Sequence, residues 1–185
     1  MLDGSTLGTL VELMVRAEIL AGSDGRLIPS RFEPDVDHRD LIVADVGGYG
    51  AIWLQVKGTT HLDKEGRVVA FANYAADAIP ETSRLLYLVC LLDLHQHLLA
   101  RLWLVPSAEF NRLAYREHSS RPGRVDLQFS CRAAGDEHWD RFEVPRLDLA
   151  SGLEPLVGAA GRASLDELSS LREKVSQGAA DSRAD

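Results

Sequence analysis

Cysteine is scarce in this chain: 185 residues contain two, Cys90 and Cys131. Both lie in apolar or strand-like surroundings without metal-ligand spacing, so a disulfide framework or a thiolate metal site is not expected. Each reads as a buried free thiol, which fits a reducing cytoplasm. Uninterrupted apolar runs of membrane-spanning length are also missing. The most apolar stretch, RLLYLVCLLDLHQHLLARLWLV, is broken by Asp93, His95, Gln96, His97 and Arg101, which argues for core and against a membrane span. The N-terminus has no basic region leading into an apolar run, so no signal peptide is expected. Positive charge is short as well, with 20 Lys+Arg against 28 Asp+Glu and a formal net charge of −8. A strong non-specific nucleic-acid binder usually shows the opposite balance. No internal repeat, low-complexity tract or clear linker is present. No Ser-His-Asp arrangement stands out, and Gly47-Gly48-Tyr49-Gly50 lacks the pattern of a phosphate-binding loop.

What remains is an ordinary globular composition, 45% apolar and 26% charged, long enough for one domain with a full core. Leu7, Leu10, Val11, Met14, Val15 and Ile19 fall near one face of a helix over 6–21, capped by Ser5 or Thr6 and ended by Gly22. Strands are expected at 26–32, 40–45 and 51–58, the last two joined through Gly47–Gly50 as a hairpin. A polar connection follows over 59–70, with a turn at Lys64-Glu65-Gly66. Residues 71–79 read equally as a short helix or an extended crossing. The run 84–92 suits a strand buried on both faces, and 101–105 supplies another. Pro106 fits the first turn of a helix over 107–115. Residues 125–132 alternate as a half-exposed strand. Ser164-Leu165-Asp166-Glu167 is a capping box that opens a helix to about residue 176. The expected fold class is α/β, a central mixed sheet flanked by helices with a C-terminal helical extension. The division is a domain over 1–160, a helix over 161–177 and a disordered tail over 178–185.

The chemistry concentrates in Asp40 to Lys57. Side chains alternate across a strand, so Gln55 and Lys57 share a face while Leu54 and Val56 take the other. Asp40 opens the neighbouring strand. An acid, an amide and an ammonium therefore gather on strands that are otherwise apolar. An acid opening one strand followed by Gln-x-Lys on the next, here LQVKGTT, resembles the core of the PD-(D/E)XK phosphodiesterase superfamily. That group includes restriction endonucleases, archaeal Holliday-junction resolvases and many uncharacterised bacterial domains, a number of which carry Gln-Val-Lys. The resemblance spans residues 5–105. It implies a restriction endonuclease-like core and a glutamate from the preceding helix, for which Glu12 stands at the expected place and Glu18 too near the helix end.

Under this resemblance the expected activity is metal-dependent hydrolysis of phosphodiester bonds in DNA. The cofactor would be Mg²⁺ or Mn²⁺, held by Asp40, the Gln55 amide oxygen or Val56 carbonyl, and Glu12. Lys57 would position the water and counter charge on the phosphate. The alternative is a catalytically inactive module of the same fold that binds DNA or a protein partner. A homodimer is compatible with either. Asp37 competes with Asp40 but is less well placed, and His95-Gln96-His97 resembles a metal pair without a third ligand. The clearly basic stretch is 112–132. Arg112 and Arg116 would share a face if the helix extends that far, and Arg121 and Arg124 flank Pro122-Gly123 on a loop suited to phosphate contacts.

Overall fold

The computed structural model describes residues 3–31, 39–132 and 138–181. Helix α1 (Gly4–Gly22) starts two residues earlier than the hydrophobic pattern predicts. Asp3 is the cap, its carboxylate accepting the Ser5 and Thr6 N–H groups at 3.0 Å each. Val11, Val15 and Ile19 recur every fourth residue and are fully buried. The left-handed residues that turn the chain out of the helix are Asp24 and Gly25, not Gly22.

β1 (Leu27–Arg31), β2 (Leu41–Asp45) and β3 (Ala51–Thr59) form the expected antiparallel meander. β5 (Leu85–Asp93) then pairs parallel with β3, setting Gln55 opposite Tyr87 and Lys57 opposite Val89. β6 (Leu98–Pro106) and the short β9 (Glu143–Val144) complete a six-stranded mixed sheet of order β1-β2-β3-β5-β6-β9. The α/β class and the central mixed sheet are as expected.

The cover of that sheet differs from a pair of helical layers. α1 and α3 (Leu149–Asp181) bury one face through Val11, Val15, Ile19, Leu153 and Val157 against Leu41, Val43, Ile52 and Leu54. The opposite face packs on a second, antiparallel sheet of order β4-β8-β7, made from Arg67–Ala75, Arg124–Arg132 and Tyr115–His118. β4 takes residues 67–70 from the stretch expected as a polar connection and 71–75 from the segment that sequence left open between helix and strand. Val68, Ala70, Ala72 and Tyr74 are buried while Phe71 is exposed, a period of two that fixes it as extended. Alanine-rich AFANYAADA masks this because its local propensity is as helical as it is extended.

Two helix boundaries are corrected. α2 (Ser107–Leu113) stops before Ala114, which is extended, and Arg116 already belongs to β7. Arg112 and Arg116 therefore do not share a helix face. α3 begins at Leu149, not at the Ser164 capping box, and Leu149, Leu153, Val157 and Ala160 make its first half part of the core. Gly152, Pro155, Gly158 and Gly161 hide that half from a propensity reading. Ser164 is interior to the helix, its Oγ donating to the Ala160 carbonyl at 3.1 Å and accepting from Arg84 at 2.7 Å. The helix continues through 178–181, where a disordered tail was expected. Cys90 and Cys131 are both buried.

Candidate functional site

β2 ends at Leu41 opposite Leu54, whereas β3 continues to Thr59. Beyond Leu54, β3 has lost its β2 partner on that edge, and Asp40 takes over the pairing. Its N–H donates to the Leu54 carbonyl at 3.1 Å, and its Oδ2 accepts the Val56 N–H at 2.7 Å. The N–H and C=O of one strand residue point to the same side, so the Val56 carbonyl faces the same edge. Gln55 Nε2 donates to the same Asp40 Oδ2 at 2.8 Å. Gln55 is 2% exposed, and its Oε1 is buried with no hydrogen-bond partner. A buried acceptor left in that state costs about 1–3 kcal/mol unless a cation or donor occupies the place.

Asp40, Gln55 and Val56 thus meet directly. Lys57 is half-buried two residues further along the Gln55 face. Glu12 arrives from the helical side: its neighbour Val11 packs so closely on Gly58 that a Cβ there would lie 2.5 Å from Val11 Cγ2. The Glu12 carboxylate lies 3.8 Å from Arg31 Nε, and Arg31 is the cross-strand partner of Leu41, one residue from Asp40. Glu12 thus comes from the helix that packs on one face of the sheet, whereas Gln55 and Lys57 lie on the other face of β3.

Two residues of this neighbourhood escaped the sequence reading. Tyr87, across from Gln55, donates its O–H to the Tyr74 oxygen at 2.8 Å, and both rings are buried. Burial, then the Tyr87 neighbour and hydrogen bond, and the Asp40 charge hold the Tyr74 phenol far above its ordinary range. Burial pushes Tyr87 up to about 12, although its bond to Tyr74 works in the opposite direction. Tyr74 lay in the unassigned segment and Tyr87 inside an apolar run, so neither carried a polar signal.

These shifts set an alkaline limit on stability. The buried phenols are neutral in the fold, with pKa values above the ordinary 10.0, and burial likewise raises the Cys90 thiol above 9.0. Their contribution is complete below the unfolded values and is lost as pH rises through the folded ones. The melting temperature should therefore hold to about pH 9 and fall between about pH 9 and 12. Tyr74→Phe should make that fall shallower. Thermal melts from pH 8 upward check this, and a wild-type profile flat beyond pH 11 would contradict it.

The arginines of the basic stretch differ in their surroundings. Arg112 pairs with Glu109 at 2.6 Å, and Arg116 donates to the Asn111 carbonyl at 3.4 Å. Arg124 is the first residue of β8, half-buried and bound to the Asn73 side chain and carbonyl, so it is not on a free loop. Arg121 is exposed in the turn that precedes it. Asp93 closes the His95–His97 turn by accepting the His95 and Gln96 N–H groups. Among the described residues, no group of three or more His, Cys, Asp and Glu is placed to hold a metal ion. Glu33, Asp35 and Asp37 lie outside the described residues. No helix among the described residues is long and apolar enough to cross a membrane. Compared with models of known protein families and with curated proteins, the chain matches none.

Proposed function

We propose that this chain is a nuclease-type domain of the PD-(D/E)XK kind that hydrolyses phosphodiester bonds in DNA with Mg²⁺ or Mn²⁺. The observation that carries the reading is Gln55 Oε1, a buried acceptor without a donor, beside Asp40 at the edge where β2 ends. A hard cation takes oxygen ligands, and the residues present are oxygen donors: Asp40, the Gln55 amide, the Val56 carbonyl and Glu12. They fit such an ion in chemistry. When bound, the ion would supply an activated water and neutralise charge on the phosphate. Lys57, on the Gln55 face, orients the water and counters the growing negative charge with a fixed ammonium. Arg121, exposed in the turn before β8, would be free of the strand pairing to reach a phosphate.

A second reading, a non-cutting module of the same fold that binds DNA or a protein partner, is favoured by the Asp40 hydrogen bonds. Its Oδ2 already serves two N–H donors, a role that needs no metal. Titration with Mn²⁺ separates the two. Wild type is expected to bind the ion at millimolar concentration or below, and Asp40→Asn to lose that binding while remaining folded. Wild type that binds no divalent cation leaves the second reading.

Gln55→Glu sharpens the test. Without metal it sets a carboxylate against Asp40 and removes the donor that now bridges them, so the melting temperature should fall. With Mn²⁺ the added charge should tighten binding about tenfold and restore the melting temperature. Unchanged metal affinity in this variant would mean that Gln55 does not face the ion.

A further inference from the structure

Gln55 Oε1 has no donor although its neighbour in the sheet carries a hydroxyl. Gln55 and Tyr87 are partners in the parallel β3–β5 register, so their side chains leave the same face of strands about 4.8 Å apart. That face packs on the second sheet, where Tyr87 shares a cluster with Val89, Trp103 and Phe110. A phenol has one proton to give. Tyr87 gives it to the Tyr74 oxygen of β4, at 2.8 Å. Phe110 holds the Tyr87 ring in that direction, stacked on it with 3.8 Å between centroids and 10° between planes. Gln55 is fixed in turn by the bond from its Nε2 to Asp40, which sets which end of the amide carries the oxygen. The outcome is a buried acceptor whose register partner donates elsewhere.

We infer that Tyr74 is a positioning residue for the candidate site: by accepting the Tyr87 proton, it keeps Gln55 Oε1 open for the ion. The inference rests on the nuclease-type reading for the identity of that occupant. Buried acceptors without donors are costly, and a donor on the adjacent strand is the ordinary remedy. Here a residue of the other sheet takes that donor instead. Tyr74 is set in place by the β4–β8 pairing, opposite Val125, and is 2% exposed. Burial, the Tyr87 neighbour and the Asp40 charge keep its phenol neutral, which also places it within the influence of the Asp40 carboxylate. Without the Tyr74 oxygen, the Tyr87 proton needs a new acceptor in the same buried space. Gln55 Oε1 has no donor of its own and takes it. An incoming ion must then break that bond before it can use the amide oxygen.

The test uses the full chain, with Mn²⁺ alone as the probe in a calorimetric titration. Tyr74→Phe removes one oxygen and keeps the ring. It should weaken Mn²⁺ binding about tenfold, the effect of one hydrogen bond that the ion must displace. Adding Tyr87→Phe to Tyr74→Phe should bring the affinity back to within about threefold of wild type, because no phenol is left to compete. A role in packing alone predicts the opposite order, with the double variant weaker than the single one. A second readout needs no metal. The side-chain carbonyl resonance of Gln55, followed by NMR in the metal-free protein, should shift in Tyr74→Phe as the oxygen gains a donor, and return in the double variant. Wild-type Mn²⁺ affinity in Tyr74→Phe, or a double variant that binds more weakly than the single one, would overturn the inference and leave the nuclease-type reading standing. Should the double variant not fold, the Gln55 resonance in Tyr74→Phe decides alone, and an unmoved resonance overturns the inference. A resonance that moves while wild type binds no Mn²⁺ would uphold the hold of Tyr74 on Gln55 and remove the nuclease-type reading.

Discussion

Alanine at Lys57 is expected to lower Mn²⁺-dependent cleavage about 10²–10³-fold, the usual loss when one fixed charge is removed from a developing oxyanion. The fold should survive. Lys57 is half-buried near the end of β3, where its stem covers part of the strand surface, and the helical core lies on the other face. A substitution of that kind shifts stability by about 0.5 kcal/mol. On the proposed reading Lys57 acts on the reacting phosphate, so kcat should fall and KM stay nearly constant, the sign of an interaction made in the transition state. Lys57→Arg should not restore the rate, since a planar fork places its charge differently from a compact ammonium. Single-turnover cleavage of a labelled DNA strand, with the melting temperature measured in parallel, reads both quantities. A Lys57→Ala variant that cuts as fast as wild type would remove Lys57 from the mechanism. If Asp40→Asn then abolished cleavage, the site would persist with another group holding the water.

The part of this architecture that sequence reveals is the part encoded by short periods. α1, the β1–β2–β3 meander and the buried β5 follow from apolar spacing, and the alternation along β3 sets Gln55 and Lys57 on one face. What it conceals depends on partners distant in the chain. β8 was legible from its alternation, but the second sheet was not, because β4 is tied to it by tertiary pairing, Asn73 opposite Asp126 and Tyr74 opposite Val125, not by local propensity. Ser164-Leu165-Asp166-Glu167 has the composition of a helix start, yet the apolar spacing of Leu149, Leu153 and Val157 carries the helix about four turns further back. Within the site, a row of polar side chains was legible. The double use of Asp40 Oδ2, as strand cap and Gln55 acceptor, was not, because it requires knowing that β2 stops at Leu41.

The same limit applies to Gly50, and here the expected effect on stability is the largest. In sequence, Gly47, Gly48 and Gly50 are equivalent members of one hairpin turn. In the fold they are not. A Cβ on Gly47 would meet only Asp45 Oδ1 at 4.0 Å, an ordinary contact, and one on Gly48 would touch the same movable side chain. A Cβ on Gly50 would overlap the Val157 carbonyl oxygen and press on the Gly161 N–H, both backbone atoms of α3. Gly161 faces back in kind, with a Cβ there 2.9 Å from Gly50 N. The helix thus rests directly on the hairpin, and a methyl group at Gly50 can be accommodated only by displacing α3. That displacement pulls Leu153 and Val157 from the core they share with β2 and β3. Overpacking against backbone that cannot rotate away should cost about 3 kcal/mol or more. For a chain of this length that is a fall of about 6–12 °C in melting temperature. Gly161→Ala should fall in the same direction by less, its nearest atoms lying further off. Gly47→Ala should be neutral or stabilising by about 0.5 kcal/mol, since it restricts the unfolded chain without a native clash. Thermal melts of the three variants, with hydrogen exchange over 149–161, separate packing from turn geometry. Equal losses at Gly47 and Gly50 would show that the turn itself, and not the contact with α3, sets the requirement for glycine.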